Sequence, residues 1–156
     1  MPAEANKKII SYLNEILKGE LTAINQYFLH FAILKNQGFA KLAAKEYEAS
    51  IDEMKHAQQL IDRVLYLGGL PNLQDLGRLN IGEHADEILK ADLGVEEAAV
   101  KLLREAAKFM EENKDYTSAG LVMEILKSEE EHIDWLRQQL NVIGNVGLQN
   151  YLQSQI

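Results

Sequence analysis

The chain has 156 residues and a formal net charge of −8 at pH 7. This length fits a single domain over residues 1–156, and the acidic balance argues against a nucleic-acid partner, because phosphate binding requires clustered Lys and Arg. The chain contains no cysteine, which excludes disulfides, thiolate zinc sites, iron–sulfur clusters and nucleophilic-cysteine chemistry. Any bound metal must therefore be held by Glu, Asp or His.

The sequence predicts neither a targeting segment nor a membrane span. Residues 1–20 lack an uninterrupted apolar run behind a basic segment. No later stretch approaches the roughly eighteen apolar residues that a membrane helix requires. We therefore expect a cytoplasmic protein without a membrane partner.

Helix is the expected structure for most of the chain, because only Pro2 and Pro71 interrupt it and β-branched alternation is not sustained. The apolar spacing and the Gly and Pro signals predict four long helices, at about residues 4–36, 39–67, 83–112 and 116–143. Asp115 is the expected N-cap of the fourth helix. The uncharged, partly apolar tail, at about residues 147–156, predicts a short fifth helix that packs against another surface.

The connection at about residues 68–82 is too long for a tight helical hairpin. It should instead cross the length of the bundle between the second and third helices. The sequence therefore predicts an all-α four-helix bundle over about residues 4–143, with one long crossover and a short C-terminal helix.

One acidic motif occurs twice with the same spacing. A Glu is followed 33 positions later by Glu-x-x-His, first in Glu20, Glu53 and His56 and again in Glu96, Glu129 and His132. Residues three apart share one face of a helix, so each Glu-x-x-His presents an oxygen and a nitrogen ligand to one point. Together the two halves predict a site for two metal ions, a ligand pattern already known from ferritin-like di-iron proteins. The alternative of solvated surface pairs does not explain the shared spacing.

The charge of the predicted site matches two divalent metal ions, because four glutamates supply four negative charges. Without metal, the clustered carboxylates should be partly protonated or move apart, so metal binding should release protons. Carboxylate and imidazole ligands suit iron, manganese or zinc and do not choose among them.

Several residues near the motif have open roles. Tyr27 lies two turns after Glu20 on the same face, so it is either a hydrogen-bonding or redox group beside the metals or a core tyrosine. His30 and His84 have no ligand partner at helical spacing, and we expect them to be surface or packing residues. Trp135 is expected in the core or an interface.

The first two helices also carry a second apolar stripe that points away from the predicted metals. We call it the outer stripe, and it consists of Leu21, Asn25, Phe28, Tyr47, Ile51 and Met54. A helix with two apolar faces predicts a subunit interface, here a two-fold one in which Met54 meets its symmetry mate. Paired thioethers could ligate a haem iron there, although a Met on an apolar face usually only packs.

From about Lys8 to Ile156 the chain resembles bacterioferritins. The resemblance is carried by residues 20–28 (ELTAINQYF), 50–57 (SIDEMKHA), 70–77 (LPNLQDLG), 130–136 (EEHIDWL) and 147–152 (GLQNYL). It implies a ligand set in which Glu20 and His56 bind one iron, Glu96 and His132 bind the other, and Glu53 and Glu129 bridge both.

The same resemblance implies oxidation of Fe(II) to Fe(III) by O2 or H2O2 and storage of ferric mineral in a hollow homo-oligomeric cage of two dozen subunits. The C-terminal helix would line the four-fold axes. One haem b would be shared by two subunits through Met54, and a ferredoxin-like reductant would assist iron release. This chain departs from many relatives at four positions, Gln37, Glu48, Ala49 and Gly68.

Two alternatives remain open at this stage. One is another di-metal oxidoreductase on the same bundle, such as a manganese catalase or a rubrerythrin-like peroxidase, although rubrerythrins usually add a cysteine-rich segment. The other is a subunit of a mixed cage in which a partner subunit performs the oxidation.

Overall fold

The computed structural model describes residues 2–156. They form five helices, α1 (Ala3–Gln37), α2 (Ala40–Tyr66), α3 (Ala85–Glu112), α4 (Tyr116–Val146) and α5 (Leu148–Gln153). No strand occurs within these residues, so the predicted all-α class is confirmed, as are the four long helices and the short fifth one. The largest boundary difference is at the end of α4, where the helix continues through Gly144 to Val146.

The long helices form two helical hairpins, α1–α2 and α3–α4, and contacts between α1 and α3 and between α2 and α4 join them. Gly38 closes α1 in the left-handed conformation, with φ +92°, and the Phe39 amide donates to the Leu34 carbonyl at 3.0 Å. Glycine adopts this conformation without a side-chain clash, which allows the chain to reverse within two residues.

The predicted crossover is also confirmed, and it runs along α1 for about 24 Å, at 1.5 Å per residue. Side chains at every fourth position of α1 hold it. The Asn14 side chain accepts from the Asn72 amide at 2.9 Å. The Thr22 hydroxyl accepts from the Gly77 amide at 2.8 Å. Between them, Lys18 pairs with Asp75, and farther along Gln26 and His30 accept from the Asn80 and Gly82 amides. One face of α1 therefore guides the crossover, and α3 begins at the end of the bundle where α1 ends.

Two apolar clusters fill the ends of the bundle. The first surrounds Leu13 and Leu60, and the second surrounds Leu34 and Ile88 and includes Tyr151 of α5. Buried polar residues lie between them. No helix of residues 2–156 is long and apolar enough to cross a membrane.

Two end contacts complete the bundle. Asp115 is the N-cap of α4, as predicted: its carboxylate accepts from the Ser118 amide at 3.0 Å, and it also accepts from Arg63 of α2 at 2.9 Å. At the opposite end, the Gln155 carbonyl accepts from the Lys41 amide at 2.9 Å. The predicted tail helix therefore packs against its own subunit.

Candidate metal centre

Four glutamates, one from each long helix, lie together in the middle of the bundle. Each is at most 4% exposed: Glu20, Glu53, Glu96 and Glu129. A buried carboxylate is strongly unfavourable unless a proton, a metal ion or a positive side chain compensates its charge. Among residues 2–156, the only cationic side chains that pair with these four are His56 and His132. The arrangement is therefore chemically suited to binding cations.

The candidate ligands form two adjacent groups, in each of which the ligand atoms lie within 4.8 Å of one another. One group contains Glu20, Glu53, His56 and Glu129, and the other contains Glu53, Glu96 and His132. Glu53 belongs to both groups. Glu129 belongs only to the first group in this side-chain arrangement. The structure thus brings all six sequence-predicted residues together in a pair of neighbouring sites.

The four buried glutamates form an acidic layer, and His56 neutralises part of its negative charge. Its Nδ1 lies 3.3 Å from Glu129 Oε1, 3.4 Å from Glu53 Oε2 and 3.7 Å from Glu20 Oε2. Burial alone would lower the pKa of His56, but hydrogen bonds to Glu129 and Glu20 and their charges raise it to about 10. Burial raises the pKa of Glu20 to about 7. A metal ion that binds here must displace protons from these groups.

His132, in contrast to His56, is expected to be unprotonated. Burial lowers its pKa, so the imidazole is neutral near pH 7 and available as a metal ligand. Its Nδ1 lies 3.3 Å from Glu96 Oε1. Trp135 stacks beside His132 with the ring centroids 6.2 Å apart. The expectation of a core or interface role for Trp135 is therefore incomplete, because this half-buried side chain forms part of the wall next to a candidate ligand.

Tyr27 combines the two roles that the sequence left open. Its side chain is fully buried, and its hydroxyl donates a hydrogen bond to Glu96 Oε1. Burial, followed by the negative charges of Asp92 and Glu129, raises the pKa of Tyr27 well above its usual value. The phenol therefore keeps its proton and remains a hydrogen-bond donor to Glu96.

Two cavities reach the glutamates from different sides. A cavity of about 400 Å³ lies between α1, α3 and the crossover, and small residues including Gly19, Ala23 and Gly94 line it. A second cavity, of about 190 Å³, lies between α2 and α4 and is lined by residues including Glu48, Asp52 and His132. Small ions and molecules can therefore approach the site from both sides.

The sequence left His30 as a surface or packing residue, and the structure excludes the surface position. His30 is fully buried and lies in a separate polar group with Glu46 and Asp92. The available signal was positional: Asp92 precedes Glu96 by one helical turn, and Glu46 precedes Glu53 by two turns, so both face the bundle interior. His84, by contrast, is exposed at the N-cap of α3, as expected.

The outer stripe lies at the surface of the subunit. Met54 is 52% exposed, although the adjacent Glu53 is buried. Phe28, Phe31 and Tyr47 form an aromatic row on the same two helices, with ring centroids 6.2 and 5.0 Å apart. This contiguous apolar surface is the kind of area that protein interfaces cover.

The four positions at which the sequence departs from the resembled family pattern are not among the six candidate ligands. Glu48 and Ala49 line the cavity between α2 and α4. The Gln37 side chain donates to the Glu83 carbonyl at 2.7 Å, and Gly68 forms a turn after α2 with φ +82°.

Comparison with known proteins gives one consistent result. A family model described as "Ferritin-like domain" matches residues 10–146. The chain is 43% identical to bacterioferritin of Mycobacterium leprae over 148 residues, which is 95% of this chain and 93% of that protein. It is 43% identical to bacterioferritin of Streptomyces coelicolor over 98% of this chain and 92% of that one. Bacterioferritin of Rhodobacter capsulatus is 42% identical over 95% and 92%.

Proposed function

Because the chain belongs to the bacterioferritin family of ferritin-like proteins, we propose that it stores iron and oxidises Fe(II) to Fe(III) within each subunit. The observation that carries this proposal is the layer of four buried glutamates with two histidines and no Lys or Arg partner in residues 2–156. Four carboxylates neutralise the four positive charges of two Fe(II) ions, so the occupied site can remain buried. Iron is the substrate of this site.

In this proposal, the ligands are divided between two irons. Glu20 and His56 bind the first, Glu96 and His132 bind the second, and Glu53 and Glu129 bridge them. The shared position of Glu53 supports the bridge. Each Fe(II) gives up one electron, and hydrogen peroxide, taken as the oxidant, accepts two electrons and two protons to form two waters. With O2, the same iron pair supplies two electrons, two protons are taken up, and hydrogen peroxide is the product.

The protein contributes protonation control and ligand placement. Fe(II) binding displaces the proton that His56 carries among the carboxylates, whereas His132 is already neutral. Tyr27 holds Glu96 in position through its hydroxyl. The two cavities supply separate routes, and we infer that the oxidised product leaves past the carboxylates of Glu48 and Asp52.

Met54 fits a haem ligand shared by two copies of the chain. Its soft thioether is exposed on the outer stripe, and the apolar surface of Phe28 and Tyr47 lies on the same side of the two helices. A b-type haem bound there would supply electron transfer for iron release, with a ferredoxin-like protein as the electron donor. We further propose that two-fold dimers assemble into a hollow cage of two dozen subunits in the cytoplasm.

Calorimetric titration of metal-free protein with Co(II), a redox-stable substitute for Fe(II), tests the site. We expect two ions per subunit and proton release, measured by repeating the titration in buffers of different ionisation enthalpy. Glu129→Ala should bind fewer ions or bind them much more weakly. Saturation at one ion per subunit, or unchanged binding by the variant, contradicts the proposed ligand set.

A further inference from the structure

A second buried polar layer lies between the candidate metal centre and α5. Its three acidic or basic members come from three helices: His30 of α1, Glu46 of α2 and Asp92 of α3. His30 and Asp92 are 0% exposed and Glu46 is 3% exposed. None of the three is in the proposed iron ligand set. We call them the second layer.

Both ring nitrogens of His30 already have partners. Nε2 accepts a hydrogen bond from the Gly82 amide at 3.0 Å, so this nitrogen carries no proton. The ring proton is therefore on Nδ1, which donates to Asp92 Oδ1 at 2.8 Å. The resulting imidazole is neutral and supplies no positive charge. Its lone pair is directed at the crossover, so it is not free to bind a metal.

Asp92 is fixed through one of its two oxygens. Oδ1 accepts from His30 and also from Gln26 Nε2, the latter at 2.9 Å. Both donors are directed at this one oxygen, so Asp92 acts as a hydrogen-bond acceptor. The other oxygen, Oδ2, is buried and has no hydrogen-bond partner among residues 2–156.

Glu46, like Asp92, has a buried oxygen without a hydrogen-bond partner among residues 2–156. This oxygen is Oε2, and the carboxyl group of Glu46 faces Asp92. Among residues 2–156, His30 is the only Lys, Arg or His side chain that pairs with either acid, and its imidazole is neutral. Burial, followed by the negative charge of Asp92, raises the pKa of Glu46 well above its usual value. Two uncompensated buried charges are unfavourable, whereas one proton between the carboxyl groups removes one charge and allows the two groups to hydrogen-bond to each other.

We propose that Glu46 and Asp92 form a buried acid pair that holds one proton, donated by Glu46 to Asp92, and that carries a single negative charge. A metal ion in the same place would have carboxylate oxygens from only two side chains as protein ligands, because both ring nitrogens of His30 are occupied. The proton is therefore the better occupant. His30 and Gln26 act as positioning residues that tie the pair to the crossover.

The charge of the acid pair acts on the iron site. Asp92 lies one helical turn from Glu96, so its side chain is about 6 Å along the same face from a proposed ligand. A fixed negative charge at this range favours Fe(III), which carries one more positive charge than Fe(II). This part of the inference rests on the proposed function.

Infrared spectroscopy of the metal-free protein tests the shared proton without any iron chemistry. At about pH 9, above the pKa of about 7 for Glu20, we expect a protonated-carboxyl C=O band that shifts in D2O. The band should disappear in Glu46→Gln, whose amide can still donate to Asp92 and preserve the fold. Glu105→Gln, at an exposed position on α3, should keep it. Absence of a Glu46-dependent band overturns the proposal, as does a third bound Co(II) per subunit that Glu46→Gln abolishes.

Two isosteric variants test the electrostatic effect. Glu46→Gln retains the charge of Asp92, whereas Glu46→Gln combined with Asp92→Asn removes it while leaving two amides that can pair. At saturating Fe(II), the single variant should oxidise iron within about threefold of the unmodified protein, and the double variant should be about tenfold slower. Equal rates for the two variants overturn the electrostatic part. If the unmodified protein does not oxidise Fe(II), the proposed function fails, and the infrared result alone decides the acid pair.

Discussion

The Tyr27 hydroxyl of α1 donates a hydrogen bond to Glu96 of α3, although the two residues are 69 positions apart in the sequence. The Tyr27 ring also meets the His132 ring edge-on, with centroids 5.4 Å apart. One tyrosine thus contacts a candidate ligand on each of two other helices. Its position links bundle packing directly to the geometry of the candidate metal centre.

Tyr27→Phe should slow iron oxidation and lower stability without unfolding the bundle. Glu96 loses its donor, and its Oε2 already has no hydrogen-bond partner in residues 2–156. Loss of this buried hydrogen bond should cost about 1–3 kcal/mol in the free energy of unfolding, measured by denaturant titration of metal-free protein. Tyr12→Phe is the matched control, because Tyr12 contributes a ring contact to Phe109. Equal stability of the two variants would show that the Tyr27 hydrogen bond is unimportant.

Metal-free protein should become less stable as pH rises. The pKa of Glu20 is raised from 4.5 to about 7, so stability falls between these values as the unfolded chain ionises first. The pKa of His56 is raised from 6.5 to about 10, so its stabilisation is complete below 6.5 and is lost as pH rises through 10. Melting temperatures across this range should show the decline, and Glu20→Gln should remove its lower part. A flat profile for the metal-free protein contradicts these protonation states.

The six candidate ligands could be predicted because their arrangement depends on local geometry. A Glu-x-x-His pair meets on one helix face whatever surrounds it, and the repeat supplies the second half. The fold followed from the helix breaks and from one long connection. The second layer could not be predicted in the same way, because His30 bonds to Asp92 on another helix and to Gly82 in the crossover. Such contacts depend on how the helices and the crossover are placed in three dimensions.

Met54→Leu should abolish haem binding and leave Fe(II) oxidation intact. Leucine preserves volume and apolarity, usually at a cost below about 1.5 kcal/mol, so the dimer should persist. Visible absorbance of protein supplied with haem measures the loss, and iron release through a haem-dependent reductant should slow. Met123→Leu, at an exposed position on α4, should bind haem normally. Unchanged low-spin absorbance in Met54→Leu would exclude Met54 as the ligand.

The C-terminal segment should contribute separately to subunit stability and to assembly. Tyr151 is buried and donates to Gln139 Oε1 at 2.8 Å, so Tyr151→Ala should destabilise the subunit by about 3 kcal/mol. Ile156 is 71% exposed, so Ile156→Asp should weaken assembly with little change in helix content. Sedimentation velocity and circular dichroism distinguish these effects. An unmodified chain that is monomeric at micromolar concentration would refute the cage.

Stopped-flow measurement of Fe(III) formation, with increasing Fe(II) added to metal-free protein in the presence of oxidant, tests the central claim most directly. The initial rapid phase should saturate at two Fe(II) per subunit, because the six ligands form one paired site. Glu129→Ala should eliminate this phase, whereas Glu130→Ala, which removes a surface ion pair to Arg104, should retain it. A rapid phase that saturates at another ratio, or that persists in Glu129→Ala, contradicts the account.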